Sequence, residues 1–504
     1  MEEKRTFHWT GLLLVLIMAM GFSRLVFLTV LMGGHFADLA KNNMVRTESV
    51  EATRGIISDK NGKPLAMNIE NNGKIVRFYP GGEMIAGVVG YLGKPTDSNL
   101  PPDVLVGRDG LEAFYENRLA GKPGQSLVEE TAEGVKKTEI KQTDPLPGEN
   151  MTTNLDLTVQ QTAFSALKEA LVNNGKSGAV VVTTVDGRVL ALVSEPSFDP
   201  NLFIDGGKRS DFGGDFASIS DLLNDDVKKP LYNRAVSGDF APGSVFKLVP
   251  AIASLEENKI TPETLIADSG EIVIGNYHFS NWLLDSYGRT EGEINLVKAI
   301  ARSNDIFFYK VGELLGVDNL SKWSSKLGLG TPTGIDLPGE AAGFVPTAYW
   351  REKTTGTKWF LGDTYHFAIG QGDIMATPLQ INRMTADVVS GMSCPPRLVG
   401  TAGCTDLHIS EANRKTILGG MLAACSPGGT AFPLYEYGGK IYCKTGTAQK
   451  GGEDTQPNAW LSMVIPVGTN IKDWVVVTVL IEEGGEGSTV AAPVAKELVP
   501  LFLK

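Results

Sequence analysis

A long apolar run near the N-terminus is the most distinct feature of the hydrophobic pattern. Between positions 10 and 34 only three residues are clearly polar: Ser23, Arg24 and Thr29. As one helix, this run is long enough to cross a hydrocarbon core of about 30 Å. A cleaved signal peptide is the alternative, but the length of the run and the charge of Arg24 do not suit a short signal core. The pattern therefore predicts an uncleaved membrane anchor.

The charges that flank this run predict its orientation. Lys4 and Arg5 precede it, and the bulk of the chain follows it. The positive-inside rule then favours a cytoplasmic N-terminus, although Lys41 and Arg46 weaken the asymmetry. We expect a single-pass protein of the cell membrane whose main domain lies outside the cytoplasm.

The pattern after the anchor changes near residue 150. Residues 35–150 mix short strand-like pieces, such as 75–78, with turn-rich stretches at 97–103 and 144–150. Beyond them the periodicity predicts these elements: a helix at 158–172, strands at 178–184 and 188–194 around a turn at 186–187, strands at 459–465 and 474–481, and a closing helix at 493–503. Such elements favour an α+β fold in which helices cover an antiparallel sheet. The expected domains are 1–34, 35–150 and 151–504.

Composition limits the function. A chain of 504 residues exceeds what one core usually supports, which agrees with several domains. The net charge is −12 and the pI is near 5.1, whereas a surface that binds phosphates needs a basic excess. We therefore expect no nucleic acid among its partners.

A serine and a lysine three residues apart are the candidate catalytic pair. Pro242 and Gly243 suit a sharp turn into a helix, where Ser244 and Lys247 lie on one face. A serine hydroxyl needs a base to take its proton, and a lysine can be that base only if burial and nearby cations lower its pKa. Lys444, in a later Lys-Thr-Gly sequence, would be one such cation.

A second Ser-x-x-Lys sequence competes with this pair. Ser165 and Lys168 have the same spacing, but they lie inside an amphipathic helical stretch with no turn before it. We interpret Ser165 as a residue on the surface of that helix. Ser244 is the preferred nucleophile because a Pro-Gly turn precedes it and an apolar run follows it.

Ser-x-x-Lys at 244–247, a Ser-x-Asn-like element at Ser303-Asn304-Asp305 and Lys-Thr-Gly at 444–446, in this order, form the signature of penicillin-binding proteins. The chain resembles the class B penicillin-binding proteins, the monofunctional D,D-transpeptidases of peptidoglycan synthesis. Further matching segments occur in order: Arg54-Gly55-Ile56-Ile57 with Asp59 and Asn61-Gly62, Gly107 with Gly110-Leu111-Glu112 and Tyr115, Pro196-Ser197-Phe198-Asp199-Pro200-Asn201, Asn233-Arg234-Ala235, Gly370-Gln371-Gly372, and Thr377-Pro378-Leu379-Gln380.

The resemblance implies a transpeptidase domain at 151–504 that resembles the serine β-lactamases, after a short pedestal at 35–150. It also implies roles for further residues. Ser303 would relay protons, Thr445, Gly446 and Thr447 would bind the terminal carboxylate of the substrate, and the N–H groups of Ser244 and Thr447 would form an oxyanion hole. No cofactor or metal is expected.

Asp305 departs from the family pattern. Most relatives have asparagine at this position, where the amide holds the substrate and the active-site lysine. A carboxylate cannot donate a hydrogen bond, and beside Lys247 it would favour the charged amine. Three outcomes are open: Lys444 offsets this effect, activity is reduced, or the helix shifts so that Asn304 serves instead.

Three other functions share this chemistry or fold. A D,D-carboxypeptidase would pass the acyl group to water, and a weak scaffold or β-lactam sensor would use Asp305 to limit catalysis. A β-lactamase would need a base for the deacylating water. The sequence from Glu291 to Asn295 loosely resembles such a glutamate motif, but it precedes Ser303 instead of following it.

The expected ligands and partners follow from the resemblance. Stem peptides ending in D-Ala-D-Ala and β-lactams would acylate Ser244. Residues 35–150 are too few for a polymerase domain, so the resemblance implies a membrane glycosyltransferase of the shape, elongation, division and sporulation family as partner. The segment 196–203 and the region of Arg234 resemble elongation-type proteins more than division-type ones.

All four cysteines, Cys394, Cys404, Cys425 and Cys443, lie in the last quarter of the chain. Outside the cytoplasm disulfides are permitted, and four cysteines allow three pairings. We prefer Cys394 with Cys404 and Cys425 with Cys443, because the first would close a proline-containing loop and the second would tie a helix end to the strand of Lys444. Free buried thiols remain the alternative.

Overall fold

The computed structural model describes residues 2–42, 45–97, 104–130, 136–204, 209–451 and 455–503. The chain divides into two compact units, one made of 1–54 and 120–149 and the other of 55–119 and 150–504.

The strands in chain order are β1 (Val45–Val50), β2 (Ile57–Ser58), β3 (Pro64–Asn71), β4 (Lys74–Phe78), β5 (Leu92–Gly93), β6 (Val106–Gly107), β7 (Gly124–Glu130), β8 (Lys136–Thr143), β9 (Met151–Thr152), β10 (Ser177–Thr184), β11 (Val189–Glu195), β12 (Ile266–Asp268), β13 (Glu271–Ile274), β14 (Tyr277–Ser280), β15 (Gly292–Ile294), β16 (Met392–Ser393), β17 (Thr405–Asp406), β18 (Tyr442–Ala448), β19 (Asn458–Ile465) and β20 (Val475–Glu482).

The α-helices are α1 (Glu2–Val26), α2 (Gly33–Asn42), α3 (Ala86–Val89), α4 (Gly110–Phe114), α5 (Glu116–Leu119), α6 (Leu157–Asn173), α7 (Ile219–Leu223), α8 (Leu248–Glu256), α9 (Trp282–Tyr287), α10 (Leu296–Arg302), α11 (Asp305–Lys326), α12 (Ala348–Thr355), α13 (Leu361–Ala368), α14 (Pro378–Ser390), α15 (Glu411–Ala424) and α16 (Ala492–Lys496). Short 3₁₀ helices include Gly243–Lys247 and Val499–Leu501, and π-helical turns occur at Phe27–Leu31 and Gly487–Ala491.

The first unit contains the predicted apolar helix. The stretch His8–Leu31 is helical, exposed along its length, and long and apolar enough to cross a membrane. The same unit holds a three-stranded antiparallel sheet in the order β1-β7-β8.

The second unit is built around a five-stranded antiparallel sheet in the order β11-β10-β20-β19-β18. Alternate residues of β19 enter two separate cores, as strand geometry requires. Leu461 and Met463 pack in the core that contains α6 and α16, whereas Trp460 and Val464 pack in the core that contains α8, α11 and α14. Helices thus cover both faces of the sheet, which confirms the predicted fold class.

Most predicted elements are present within one or two residues of their expected bounds, but the closing helix is wrong. An α-helix at 493–503 was expected, yet α16 ends at Lys496 and only a 3₁₀ turn follows at Val499–Leu501. Pro500 explains the break, because its ring clashes with the carbonyl four residues earlier and it has no N–H to donate. Of the predicted turn at 97–103, residues 98–103 lie outside the described chain. The domain boundaries at 34 and 150 stay predictions.

Candidate active site

Ser244 lies in the tight 3₁₀ helix that leads into α8. The spacing of three residues places Ser244 and Lys247 on one side of a 3₁₀ turn even more closely than in an α-helix. Gly243 has φ +56°, and a Cβ there would lie 2.7 Å from the Thr447 carbonyl oxygen. Only glycine fits this close approach to the edge strand. Ser244 itself is half-buried.

The backbone of Ser244 is held between two contacts with strand β18. Gly243 approaches Thr447, and a Cβ on Gly446 would lie 3.1 Å from the Val245 nitrogen. The Gly243 N–H also donates to the Gly370 carbonyl at 2.8 Å, within the Gly-Gln-Gly sequence. The residues on either side of Ser244 therefore fix its position against the edge of the sheet.

Lys247 is fully buried, and its amine faces three acceptors. The Nζ donates to the Ser303 carbonyl oxygen at 2.7 Å and to Asp305 Oδ1 at 2.7 Å, and it lies 3.3 Å from Ser303 Oγ. Burial lowers the pKa of Lys247, although the charge and hydrogen bond of Asp305 oppose this lowering.

Lys444 is the second fully buried amine of the site. It projects from β18, the edge strand of the sheet, and its Nζ donates to Ser303 Oγ at 2.8 Å and to the Thr445 carbonyl at 2.9 Å. Burial lowers the pKa of Lys444 well below its ordinary value, and the charge of the neighbouring Lys247 adds to this effect. The Ser303 hydroxyl thus lies between two buried amines. Protonation of both at once costs free energy, because their positive charges repel and both are removed from water.

A short connection between two helices brings Ser303 and Asp305 to these amines. Ser303 ends α10 in the left-handed conformation with φ +53°, and Asn304 is the N-cap of α11. This sharp turn directs the Ser303 hydroxyl and the Asp305 carboxylate toward Lys247 while Asn304 faces elsewhere. Asn304 accepts from the Phe307 N–H at 2.9 Å and donates to Asp268 at 2.8 Å.

These contacts decide one of the three outcomes considered for Asp305. Asn304 does not replace Asp305, because its amide is engaged by Phe307 and Asp268. Asp305 is the residue that contacts Lys247, and its second oxygen accepts from the Trp282 N–H at 3.2 Å. The expected opposition to base function is present, but burial of the amine outweighs it in setting the pKa of Lys247.

The Lys-Thr-Gly-Thr sequence lies along β18 beside Ser244. In the register with β19, Lys444 pairs with Ser462 and Thr445 with Leu461, so the side chains of Lys444 and Thr445 leave opposite faces. The Thr445 hydroxyl is 2.7 Å from that of Thr430, and the Thr447 hydroxyl accepts from the Gly487 N–H at 3.4 Å.

Some residues of the site have no signal in the sequence. Thr430, Trp282 and Asp268 contact Thr445, Asp305 and Asn304 respectively, and none of them belongs to a motif with a fixed spacing. Only the path of the folded chain places them here.

The competing residues are occupied elsewhere. Ser165 is exposed on α6, as predicted, and Lys168 forms an ion pair with Glu83. Glu291 pairs with Arg302 at 2.8 Å and Lys298 at 3.1 Å. Partial burial raises the pKa of Glu291, but these cations lower it overall, which does not suit a base.

The preferred cysteine pairing is confirmed. Disulfides join Cys394 to Cys404 and Cys425 to Cys443. The second of these links the end of α15 to the residue directly before Lys444.

Comparisons with known proteins identify the family of this chain. Residues 177–500 match the penicillin binding protein transpeptidase domain, and residues 68–153 match the penicillin-binding protein dimerisation domain. The peptidoglycan D,D-transpeptidase MrdA of Haemophilus influenzae is 33% identical over an alignment 473 positions long, which covers 85% of this chain and 69% of that protein.

Two solved structures are similar over almost the whole chain. Pseudomonas aeruginosa PBP2 in complex with WCK 5153 has a TM-score of 0.76 and 32% identity, and the match covers 91% of this chain and 97% of that one. A chain from a solved peptidoglycan synthase complex, which coordinates polymerization and crosslinking, has a TM-score of 0.80 and 29% identity. The match covers 99% of this chain and 98% of that one. The predicted resemblance is confirmed, and this chain belongs to the penicillin-binding protein family, among the D,D-transpeptidases of peptidoglycan.

Proposed function

We propose that Ser244 is the nucleophile and Lys247 the base of a transpeptidase that cross-links peptidoglycan stem peptides. The observation that supports this assignment is the chain of contacts from Lys247 through the Ser303 hydroxyl to Lys444, beside a half-buried serine. Two buried amines joined by one hydroxyl can move a proton into and out of the site without a histidine.

Acylation begins when Ser244 Oγ attacks the carbonyl carbon of the D-Ala-D-Ala peptide bond. The hydroxyl proton passes to Lys247, and the negative charge goes to the carbonyl oxygen. The N–H groups of Ser244 and Thr447 form the oxyanion hole, where each such donor typically contributes about 3 to 4 kcal/mol to the transition state. The approach of Gly243 to Thr447 supports this assignment.

Collapse of the intermediate breaks the C–N bond and leaves an ester on Ser244. The departing D-alanine amine takes a proton through Ser303, which contacts both amines. An amine of a neighbouring stem peptide then attacks the ester carbon and gives up a proton to the same groups. The new amide C–N bond forms, the C–O bond to Ser244 breaks, and the Ser244 oxygen regains its hydrogen. Thr445, Gly446 and Thr447 bind the terminal carboxylate of the donor peptide during acylation.

Lys247 must be neutral to act as the base, and its surroundings oppose that state. Its three acceptors match the three donors of an ammonium group, and Asp305 supplies a counter-charge at 2.7 Å. This ion pair favours a second candidate function, a slowly acylated β-lactam sensor or scaffold of the same fold. Burial, which lowers the pKa of Lys247, favours the enzyme.

Labelling with a fluorescent penicillin in membranes tests the assignment. Wild type and the matched Ser165→Ala variant should label equally, whereas Ser244→Ala should not label, and mass spectrometry should place the adduct on Ser244. An adduct on Ser165, or none, would reject the enzyme. Products formed from a D-Ala-D-Ala peptide with an added acceptor amine separate a transpeptidase from a D,D-carboxypeptidase, which releases only the hydrolysed peptide.

The anchor and the expected partner belong to the same proposal. With Lys4 and Arg5 inside, the catalytic domain lies outside the cytoplasm, where peptidoglycan is cross-linked.

The partner is a membrane glycosyltransferase of the shape, elongation, division and sporulation family, in an elongation-type complex. The similar structure from a peptidoglycan synthase complex supports this pairing. Protease protection of tags at either end tests the orientation, and co-purification from membranes tests the partner.

A further inference from the structure

We propose that Asp268 is a positioning residue that holds the Ser303–Asp305 turn against Lys247 and thereby sets the proton affinity of the base. The inference rests on the proposed roles of Ser244 and Lys247, and it adds a residue that contacts neither of them.

Asp268 is buried, and its two oxygens accept four hydrogen bonds. Oδ1 accepts from the Gly270 N–H at 2.8 Å. Oδ2 accepts from the side-chain amides of Asn281 at 2.9 Å and Asn304 at 2.8 Å, and from the Glu291 N–H at 2.9 Å. Four is about the number of lone-pair positions that a carboxylate offers. Within the described residues no lysine or arginine pairs with Asp268, so neutral donors alone stabilise it.

These four donors come from separate segments of the chain. Asp268 ends β12, Gly270 lies in the following turn, Asn281 precedes α9, Glu291 precedes β15, and Asn304 is the N-cap of α11. The carboxylate therefore joins the segments that surround the Ser303–Asp305 turn.

Asp268 also fixes the orientation of the two amides. Because the NH₂ group of Asn304 donates to Asp268, its oxygen faces the Phe307 N–H and caps α11. In the same way, the NH₂ group of Asn281 donates to Asp268 and its oxygen accepts from the Asp305 N–H at 3.3 Å. An asparagine amide has two orientations, in which its oxygen and its NH₂ group exchange places. The Asp268 carboxylate only accepts hydrogen bonds, so at both Asn281 and Asn304 it selects the orientation in which the NH₂ group faces it.

The effect reaches Lys247 through Asp305. The Asp305 backbone is held by Asn281 and its carboxylate by the Trp282 N–H, and the other carboxylate oxygen meets Lys247 at 2.7 Å. Among the described residues, the charged groups that face Lys247 are Asp305 and Lys444. If the turn loosens, Asp305 moves from Lys247 and the ammonium loses its counter-charge.

Two substitutions break this connection in different ways. Asp268→Asn keeps the size but has only one acceptor oxygen, so at least one of the four N–H donors faces an NH₂ group. Asn304→Ser keeps a side chain that caps the helix but removes the donor to Asp268. Asp336→Asn is the matched control: Asp336 is equally buried and accepts from the Leu398 and Val399 N–H groups and the Tyr115 hydroxyl, none of which contacts the site.

The experiment measures acylation by a fluorescent penicillin between pH 5 and 9, separating the acylation rate constant from non-covalent affinity. For Asp268→Asn and Asn304→Ser we expect the rise of the rate with pH to move to lower pH and the plateau to fall about tenfold, with affinity changed less than twofold. Asp336→Asn should lower the melting temperature without moving the curve. In an Asp305→Asn background, Asp268→Asn should cause no further movement of the curve.

Crystal structures of the variants give a readout that does not depend on acylation. They should show Asp305 Oδ1 displaced from Lys247 in Asp268→Asn and Asn304→Ser, and in place in Asp336→Asn. An unmoved Asp305, or an equal movement of the pH curve in Asp336→Asn, overturns the role of Asp268. Absence of labelling in wild type would reject the proposed function, and the displacement of Asp305 would still decide the role of Asp268.

Discussion

The Asp305 carboxylate lies 2.7 Å from Lys247 Nζ, and the amine is completely buried. The two influences act in opposite directions, because burial disfavours the ammonium and the carboxylate favours it. Burial dominates, so the pKa of Lys247 lies below its ordinary value, but Asp305 limits how far it falls. Asp305 therefore raises the pH at which the Lys247 amine loses its proton.

Asp305→Asn should move the rise of acylation to lower pH. The rate rises as Lys247 loses its proton, and removal of the carboxylate leaves burial to lower the pKa of Lys247 further. At pH 6 the variant should gain relative to wild type, and its plateau should fall by much less than the roughly 10²- to 10⁴-fold loss that removal of a catalytic base causes. Labelling rates across pH 5 to 9 give the result.

Asp285→Asn is the control for this substitution. Asp285 lies exposed on α9, so its replacement removes the same charge from a neighbouring element without a contact to Lys247. Its pH curve should coincide with that of wild type. A curve for Asp305→Asn that moves to higher pH would contradict the opposing influences described for Lys247.

The parts of the site that could be predicted from sequence are those in which spacing alone determines geometry. Ser244 and Lys247 are three positions apart, and a helical turn of either kind places them on the same side. Lys444 could be identified because it belongs to the Lys-Thr-Gly sequence, whose order is fixed. The departure at Asp305 was visible because it interrupts a motif of fixed spacing.

Asp268 could not be predicted because its contacts are set by the folded path. Its side-chain and backbone partners Asn281, Glu291 and Asn304 are 13, 23 and 36 residues away along the chain. The helix predicted at 493–503 is wrong for a local reason instead. The apolar periodicity continues through Pro500, but the hydrogen bonds of an α-helix cannot continue there.

Gly243→Ala should abolish rapid labelling, and Gly275→Ala should not. Both glycines have positive φ, +56° and +61°, so both substitutions carry a backbone cost of about 1–2 kcal/mol. A Cβ on Gly275 would have no atom of the described chain within 4 Å apart from its own neighbours, whereas a Cβ on Gly243 would lie 2.7 Å from the Thr447 carbonyl oxygen. Displacement of Ser244 from the edge strand should slow acylation by about 100-fold.

Denaturant unfolding and labelling rates separate these two effects. Both variants should lose stability through the shared backbone cost, Gly243→Ala more because of its added Cβ contact with Thr447, and only Gly243→Ala should lose rapid labelling. Equal labelling by the two variants would show that the approach of Gly243 to Thr447 does not position the nucleophile.

Loss of the disulfide between Cys425 and Cys443 should reduce both stability and labelling. It closes a loop of 18 residues, for which chain entropy gives about 3 kcal/mol, and Cys443 directly precedes Lys444. The double serine variant at Cys394 and Cys404 is the control, because its loop of 10 residues ends at an exposed Cys404 away from the motif.

The control variant should lose a similar free energy of unfolding and keep its labelling rate. Before either measurement, thiol titration of the denatured, unreduced wild type should find no free thiols. Labelling unchanged in the Cys425 and Cys443 variant would show that strand β18 holds Lys444 in place without this link.

Glu195→Gln should flatten the dependence of stability on pH. Glu195 is buried, its Oε1 has no hydrogen-bond partner among the described residues, and burial, helped by the nearby Glu83, raises its pKa from 4.5 to about 8. The folded chain therefore keeps a proton that the unfolded chain releases above pH 4.5. Stability from this group is present below pH 4.5 and is lost as the pH rises to 8, with a slope of at most about 1.4 kcal/mol per pH unit.

The glutamine cannot ionise, so the variant should be more stable than wild type at pH 8 and no more stable at pH 4, where Glu195 keeps its proton in the folded chain and mostly keeps it in the unfolded chain. Denaturant unfolding at both pH values measures the difference. Glu411→Gln, on the exposed end of α15, controls for the substitution itself and should show no gain at pH 8. Parallel stability curves for wild type and Glu195→Gln would mean that Glu195 is already ionised in the folded chain at pH 5.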